Sequence, residues 1–300
     1  MEKLTREKLK DVFKLVHFKE DEYIKKVEEL SINNIHPHYK RTAVLGLDIY
    51  KYSEYEENKQ NLIPFIFDII LDETIKSLEP SGDLYLFKSD LENIRNNFIS
   101  TGDGGYLFFK TPFHALIFNM HFYSVLHMFN TGHFYPNLLK YVGNLIIRSA
   151  ITFDNIFEYE GKFYGKAIID NSRILSKDRL NRLIIDNNVF DYFNINFNGI
   201  ESLPLVVVET IEKIMNEKYE KMTFFCKKDF YNKYNNPIGS PIIRNIHIQK
   251  IEDLLSKNTK LKLYNIEIQY SAAWYDSSDE TKKTEIFILT IGNLNTNSLN

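Results

Sequence analysis

The sequence predicts an α+β fold built on a palm-like, ferredoxin-related sheet with helices on one face. Two observations lead to this prediction. Between residues 40 and 200, short apolar runs typical of strands alternate with longer runs of helical spacing, in the order β-α-β-β-α-β-β-α-β. In the middle of that order, two apolar runs are joined by T-G-D-G, a turn sequence typical of a β-hairpin.

The composition is that of a folded protein with a substantial core. Of the 300 residues, 44% are apolar and 26% are charged. Lys and Arg number 37 against 40 Asp and Glu, so no global basic field favours nucleic acid or an anionic membrane as a partner. The single cysteine, Cys226, excludes an internal disulfide and a cysteine-based zinc site.

The elements of the first third follow from their apolar spacing. Residues 1–39 alternate charged and apolar positions, which predicts an N-terminal helical extension. Residues 41–48 are almost uniformly apolar and end in an acid, as in a central strand that is buried on both faces. Residues 61–78 carry apolar side chains on most turns and Pro64 in the first turn, so they predict a long helix.

The remaining elements follow from the same periodicities. Strands are predicted at 94–100, 105–110, 145–153, 155–160 and 183–185, and helices at 113–129 and 165–177. Later segments are predicted as one helix, 206–222, and two strands, 261–274 and 284–291. The pattern changes after residue 200, so we divide the chain into an extension (1–39), a central domain (40–200) and a C-terminal α/β extension (201–300).

Residues 113–129 are the one apolar run that could be taken for a membrane span. The run is slightly short for a bilayer and contains His114, Asn119, His121 and His127, so we expect a buried helix with no membrane association. The start of the chain is charged throughout and lacks the pattern of a secretory signal. The expected location is therefore the cytoplasm.

Two acidic residues stand out because of where the predicted strands place them. Asp48 ends the first buried strand, and Asp103 lies in the hairpin turn that should be its neighbour in the sheet. Two adjacent carboxylates repel unless a cation lies between them, and such oxygen ligands suit Mg²⁺ or Mn²⁺ held partly by substrate phosphates. Gly102, Gly104 and Gly105 would let a triphosphate approach the backbone. Taken singly, the two acids are equally well explained as a helix cap and a tight turn.

The segments around these acids resemble the class III nucleotidyl cyclase family. D-I-Y-K-Y-S (48–53) is similar to the family's D-I-x-x-F-[ST], with Tyr52 in place of phenylalanine. T-G-D-G-G-Y (101–106) is similar to the family's G-D motif at the usual spacing.

Two further segments extend the resemblance over residues 41–190. I-I-R-S-A-I-T-F-D-N (146–155) is similar to the family's R-x-G-I-x-x-G strand, although Ala150 and Asp154 replace its glycines. F-Y-G-K-A-I-I-D-N-S-R-I-L (163–175) is similar to its Y-x-G-x-x-V-N-x-A-x-R-[IL] helix. The family's order and spacing of all four motifs are kept, so the set is more specific than any one motif.

The resemblance implies a class III cyclase sheet that closes a nucleoside triphosphate into a 3′,5′-cyclic monophosphate, with two Mg²⁺ or Mn²⁺ ions per site. Asp48 and Asp103 match the metal-binding acids, and the carbonyl of Ile49 would add a ligand. The backbone amides that follow, with Tyr52 and Ser53 among them, match the segment that holds the β- and γ-phosphates.

The last motif implies a homodimer with composite active sites. Arg173 matches the arginine that stabilises the charged transition state, and in the family this arginine comes from the partner subunit. The family places an asparagine four residues earlier, where this chain has Ile169. The adjacent Asp170 or Asn171 could supply the missing function through a one-residue shift.

The base-reading positions depart most from the family. Ile99 stands where adenylyl cyclases place a lysine and guanylyl cyclases a glutamate. Lys162 stands where adenylyl cyclases place an aspartate. Tyr50 is bulky enough to narrow the pocket toward a smaller base. In these departures, and in having no recognisable sensor domain, the chain resembles the pyrimidine cyclases of bacterial Pycsar anti-phage defence, whose cyclic UMP or cyclic CMP activates a separate effector. This interpretation favours UTP and then CTP as substrate.

Two alternatives stay open at this point. One is an adenylate or guanylate cyclase with an unusual base pocket. The other, from a different class, is a catalytically silent domain that binds a nucleotide or serves as an interaction module. The presence of Asp48, Asp103 and Arg173 counts against silence, because a degenerate member is expected to lose an acid or the arginine.

Overall fold

The chain folds around one large mixed sheet, and the predicted α+β fold is confirmed. The computed structural model describes residues 5–14, 20–81, 87, 94–206, 208–216, 242–251, 253–256, 259–275 and 284–294. Its helices are α1 (Arg6–Lys14), α2 (Glu20–Asn34), α3 (Glu57–Gln60), α4 (Ile63–Ser81), α5 (Pro112–Asn130), α6 (Pro136–Val142), α7 (Lys166–Lys177), α8 (Asn187–Phe197) and α9 (Val208–Met215). Its strands are β1 (Lys40–Ile49), β2 (Ile99–Ser100), β3 (Gly104–Phe109), β4 (Ile147–Tyr159), β5 (Lys162–Gly165), β6 (Leu183–Asp186), β7 (Ile242–Lys250), β8 (Leu254–Ser256), β9 (Thr259–Leu261), β10 (Leu263–Tyr275) and β11 (Thr284–Ile291).

The main sheet has the strand order β11-β10-β6-β4-β1-β3-β2, with β5 paired to β4 and β7 paired to β10. Neighbouring strands are antiparallel except β4 and β6, which run parallel. β1 lies in the middle of the sheet, between β3 and β4. Both of its faces are therefore covered, which explains why its sequence is almost uniformly apolar.

Helices cover the sheet on both faces, whereas the sequence predicted helices on one face. Leu45 and Leu47 of β1 belong to the main core, together with the apolar residues of α4 and α5. Val44, whose side chain points to the opposite face, packs with Ala167 of α7. The sequence predicts a helix at 165–177, but the prediction of one helix does not say which face of a sheet the helix covers.

β4 corrects the prediction of two paired strands at 145–153 and 155–160. These residues form one continuous strand, and its hairpin partner is β5. The pair Asp154–Asn155 resembles a turn in sequence. In the structure the strand passes through this position without a break, because Asp154 and Asn155 pair with Thr42 and Arg41 of β1. α8 and β7 were not predicted, although Val189, Phe193 and Phe197 recur at helical spacing in α8 and Ile246 and Ile248 alternate in β7.

α5 is the helix predicted over 113–129, and its side chains are buried inside the fold. Its polar residues have partners there: Asn119 donates to Ser149 Oγ at 3.3 Å, and the His121 ring lies 3.2 Å from Ser77 Oγ. Among the residues that the structure describes, no helix is both long enough and apolar enough to cross a bilayer.

A buried carboxylate, Asp186, begins α8. It accepts hydrogen bonds from the amides of Val189 at 2.9 Å and Phe153 at 3.2 Å. Burial nevertheless outweighs these bonds and raises the pKa of Asp186 from 3.8 to about 6. The folded state therefore favours the protonated form of this group.

The raised pKa makes a testable contribution to stability. The contribution is fully present below the unfolded-state pKa near 3.8 and is lost as the pH rises through about 6. In the wild type, ionisation of Asp186 should lower the unfolding free energy by up to roughly 3 kcal/mol between pH 4 and pH 7. Asp186→Asn keeps a cap oxygen but cannot ionise, so this decline should be absent from the variant. Urea unfolding of both proteins at several pH values measures this difference, and parallel pH profiles would contradict it.

Candidate active site at the end of strand β1

Two acidic side chains come together where β1 ends. Asp48 is the penultimate residue of β1 and lies opposite Gly104 of β3 in the strand register. The turn before β3 carries Asp103, whose carbonyl accepts a hydrogen bond from the Ile49 amide at 2.8 Å. The Asp103 carboxylate also accepts from Thr101 Oγ1 at 3.3 Å. β1 and β3 are neighbours as predicted and place Asp48 beside Asp103, whereas only Ile99–Ser100 of the strand predicted at 94–100 is formed.

The electrostatics at Asp48 are those of an incompletely compensated acid. Burial, the largest cause, raises its pKa from 3.8 to about 6. Arg148 opposes that shift through its charge and a hydrogen bond, whereas Asp103 adds to it through both kinds of interaction. A cation placed between the two acids would stabilise their charged forms.

Arg148 is the residue at this site to which the sequence analysis gave no role. It lies on β4 directly opposite Asp48 in the register. Its Nε donates to Asp48 Oδ2, and its Nη1 donates to the carbonyl of Asp178. Arg148 is the arginine of the I-I-R-S segment, but its contact with Asp48 depends on how β1 and β4 pair and cannot be predicted from that segment alone. The site therefore has a permanent cation as well as two acids.

The glycines around Asp103 have different roles from the one predicted. A Cβ at Gly104 would overlap the Leu47 carbonyl, and one at Gly105 would overlap the carbonyl of Ile99, so both glycines are required by strand packing. Gly102 has φ +96° and open space around the position of a Cβ. It borders a cavity of about 250 Å³ beside the Asp103 turn. Gly104 lines the same cavity, so two of the three predicted glycines, Gly102 and Gly104, border space that a ligand could enter.

The donor set at the end of β1 suits a divalent cation that is shared with a substrate. Asp48 and Asp103 supply hard carboxylate oxygens, and the backbone carbonyl of Ile49 follows directly. Within the described parts of the chain, no cluster of three or more His, Cys, Asp or Glu side chains could hold a metal by itself. Two acids alone leave coordination positions that phosphate oxygens and water would have to fill.

Arg173 and Asp170 lie elsewhere, on α7. Arg173 Nη1 is 3.2 Å from one oxygen of Asp170, and Lys166 Nζ is 3.0 Å from the other. Asp170 is only 1% exposed, so its position between the two cations is fixed. All three side chains line a cleft of about 480 Å³ that includes neither Asp48 nor Asp103. The predicted catalytic arginine therefore lies in a cleft whose lining, among the described residues, does not include the two acids.

The two residues on either side of Asp170 have different surroundings. Asn171 is directed into the sheet, where its amide donates to the carbonyls of Val44 at 2.9 Å and Ala150 at 3.0 Å. Ile169 is 49% exposed and lines the α7 cleft. Of the two candidates for the missing asparagine, Asp170 borders the cleft, whereas Asn171 fastens α7 to β1 and β4.

The segment after β1, which the sequence predicts to bind phosphate, contains side chains with different partners. Tyr50 donates its hydroxyl to the carbonyl of Arg179 at 3.2 Å, and its amide donates to the Ile146 carbonyl at 2.8 Å. Tyr52 packs against the core and donates to the Gln60 carbonyl at 3.3 Å. Ser53 is exposed. Among these three side chains, Tyr50 is the one that contacts the segment around Asp178 and Arg179, whose Asp178 carbonyl accepts from Arg148.

The two remaining predicted base readers belong to the α7 side. Ile99 of β2 packs in a small core with Phe163 and Ile168, which also line the α7 cleft. Lys162 begins β5 at the tip of the β4–β5 hairpin and is exposed. Ile99 thus packs against the same small cluster as two lining residues of the cleft, and Lys162 lies on the hairpin that borders the cleft.

Comparisons with known proteins give structural neighbours of one kind. No family model and no curated protein matches the chain. The catalytic core of a rhodopsin-guanylyl cyclase with converted specificity, in complex with ATPαS, superposes with a TM-score of 0.42 and 10% identity over 76% of this chain and 96% of that one. The adenylyl cyclase CyaB from P. aeruginosa superposes with a TM-score of 0.41 and 11% identity over 76% of this chain and 94% of that one. The non-canonical dimeric guanylyl cyclase domain of the RhoGC fusion protein from Blastocladiella emersonii superposes with a TM-score of 0.40 and 9% identity, over 76% of this chain and 97% of that one. These three structures are thus of adenylyl and guanylyl cyclases.

Proposed function

We propose that this chain is a nucleotidyl cyclase, which converts a nucleoside triphosphate into its 3′,5′-cyclic monophosphate and pyrophosphate. The observation that carries the proposal is the meeting of Asp48, Asp103 and Arg148 at the end of β1. Two carboxylates that can hold metal and a cation that can meet phosphate are the groups that intramolecular phosphoryl transfer requires.

Each residue then has a definite task. Asp48, Asp103 and the Ile49 carbonyl would hold the metals against the triphosphate, and the open backbone at Gly102 would let the phosphates approach. Arg148 would exchange Asp48 for a phosphate oxygen when metal binds. The chemistry that two bound Mg²⁺ or Mn²⁺ ions supply in such a site is activation of the ribose 3′-hydroxyl and neutralisation of the departing pyrophosphate.

The separation of Arg173 from the acids supports a homodimer with composite sites. Each site would join the β1 end of one chain to the α7 cleft of its partner. Asp170 and Lys166 hold Arg173 at that cleft, where its charge could meet the transition state of a substrate bound mainly by the other chain.

The base is proposed to be a pyrimidine, with UTP favoured over CTP. Ile99 and Lys162 lack the hydrogen-bond pattern that the family uses for purines, and this departure supports the proposal. The product would then act as a messenger to a separate effector, as in anti-phage signalling. An adenylate or guanylate cyclase is the alternative within this chemistry, and comparison of the products made from the four triphosphates distinguishes them.

Subunit mixing tests the reaction and the shared site together. Asp103→Ala and Arg173→Ala homodimers should each be inactive, because every site lacks one essential group. After subunit exchange at equal concentrations, half of the dimers are mixed and each has one complete site, so activity should return to about a quarter of the wild-type value. Cyclic nucleotide production is the readout.

The matched control mixes two variants that alter the same half of the site. Asp48→Ala with Asp103→Ala should stay inactive, because no arrangement of these chains completes a site. Recovery in this control, or no recovery in the first mixture despite demonstrated exchange, would contradict a composite site.

A further inference from the structure

The segment between α7 and β6, residues 178–182, contacts two separate parts of the candidate active site; we call it the 178–182 loop. The carbonyl of Asp178 accepts a hydrogen bond from Arg148, which also binds Asp48. The carbonyl of the next residue, Arg179, accepts from the Tyr50 hydroxyl at 3.2 Å. None of the residues in the loop belongs to a motif in the sequence. The loop therefore supplies backbone acceptors to the phosphate side and to the base side of the site.

A fully buried ion pair fixes the conformation of this loop. Arg182 is 0% exposed, and its Nε and Nη2 donate to one oxygen of Asp178 at 2.9 and 2.6 Å. The amide of Leu180 donates to the same oxygen at 3.2 Å. Since a charge buried in this way is very costly without its partner, the two ends of the loop are held together.

The loop is also fastened to the elements on either side of it. The Arg182 carbonyl accepts a hydrogen bond at 3.0 Å from the amide of Ser149, which follows Arg148 on β4. The carbonyl of Asn181 accepts from the side chain of Asn293, just beyond β11. The carbonyls that meet Arg148 and Tyr50 are thus set in a rigid frame and not in a freely moving turn.

We propose that Asp178 and Arg182 are positioning residues, whose buried pair holds the loop so that it keeps Arg148 beside Asp48 and sets the direction of Tyr50. The Asp178 carbonyl retains Arg148 at the site when a cation or phosphate displaces it from Asp48. The Arg179 carbonyl fixes the Tyr50 ring, so the loop contributes to base selectivity without touching the base. The kinetic consequences of this inference rest on the proposed cyclase function.

The test replaces the ion pair without leaving a buried charge. In the double variant Asp178→Asn/Arg182→Met, the asparagine still accepts from the Leu180 amide, and both side chains keep nearly their original size. The value of kcat/KM for UTP should fall about 10- to 100-fold, as expected when catalytic groups are displaced by about an ångström. The preference for UTP over ATP should shrink as well. The matched control is Asp186→Asn, a nearby buried carboxylate that contacts neither Arg148 nor Tyr50, and it should leave the preference unchanged.

A double-mutant cycle separates positioning from a general loss of structure. Tyr50→Phe removes the hydroxyl that meets the loop, so in the wild-type background it should also reduce the UTP-to-ATP preference. In the double variant the same substitution should have little further effect, because the acceptor is no longer fixed. Independent, additive effects of Tyr50→Phe and the loop variant on the preference would overturn the proposal.

A readout that needs no turnover distinguishes failure of this inference from failure of the cyclase function. Amide hydrogen exchange should be faster in peptides covering residues 48–53 and 146–150 of the double variant, and unchanged in these peptides of the Asp186→Asn control. If the wild-type protein makes no cyclic nucleotide and the exchange still changes in this way, the function is wrong and the positioning role stands. Unchanged exchange in the double variant, or an equal change in the control, overturns the positioning role.

Discussion

Asp48→Asn and Asp103→Asn should each reduce cyclic nucleotide formation by at least ~10²- to 10³-fold, the loss that follows removal of one preorganised electrostatic contact with a transition state. Either change removes one negative charge from the only pair of carboxylates at the end of β1 in the described chain. The site should then hold metal more weakly, and raising the Mn²⁺ concentration should restore only part of the activity. Initial rates across a range of Mn²⁺ concentrations measure both effects.

Folding is not expected to explain this loss. Burial already raises the pKa of Asp48 to about 6, so its charged form is disfavoured in the fold, and asparagine can still accept from Arg148. Glu54→Gln serves as the control, because Glu54 lies a few residues further on and forms only an exposed pair with Lys51 at 3.0 Å. Near-wild-type turnover with unchanged metal dependence in either aspartate variant would contradict the metal assignment.

UTP should be turned over in preference to ATP and GTP by on the order of 10³-fold, with CTP between them. A site that reads a uracil edge through hydrogen bonds rejects a purine by several kcal/mol, because buried polar groups are left unpaired. Tyr50 lies at the junction of β1 with the 178–182 loop, where it could occupy the space of a second ring. Competition between equimolar triphosphates measures the ratio directly.

Replacement of Tyr50 provides the matching test of that selectivity. Tyr50→Ala should reduce the preference for UTP more than it changes the Mn²⁺ requirement, because the side chain would contact the base and not the phosphates. Tyr141→Ala removes another tyrosine, 49% exposed and outside the site, and should change neither quantity. Cyclic AMP or cyclic GMP as the main product would contradict the pyrimidine assignment and leave the cyclase proposal standing.

The sequence predicts the centre of this fold well because the signals there are local. The apolar run at 41–48 became β1, and the T-G-D-G turn became the link between β2 and β3. The sequence divides β4 in two because Asp154–Asn155 resembles a turn, and the pairing of these residues with β1 shows why the strand continues. α8 begins after Asp186, whose side chain accepts from the amide of Val189, so its start has a local signal that the sequence prediction missed.

In the candidate site, too, some features follow from the sequence and others depend on tertiary contacts. The proximity of Asp48 and Asp103 followed from strand order alone. The role of Arg148 did not, because it depends on which residues of β1 and β4 lie opposite each other. The loop contacts of Tyr50 depend on a segment more than a hundred residues away, and no pattern in the sequence indicates them.

The identity of the product tests the central claim most directly. The purified protein is incubated separately with UTP, CTP, ATP and GTP in the presence of Mn²⁺, and the products are identified by mass spectrometry while pyrophosphate is quantified. We expect a 3′,5′-cyclic monophosphate and pyrophosphate in equal amounts, most from UTP, and none after chelation of the metal. Absence of a cyclic monophosphate from all four triphosphates, in a folded protein that still binds them, would contradict the account.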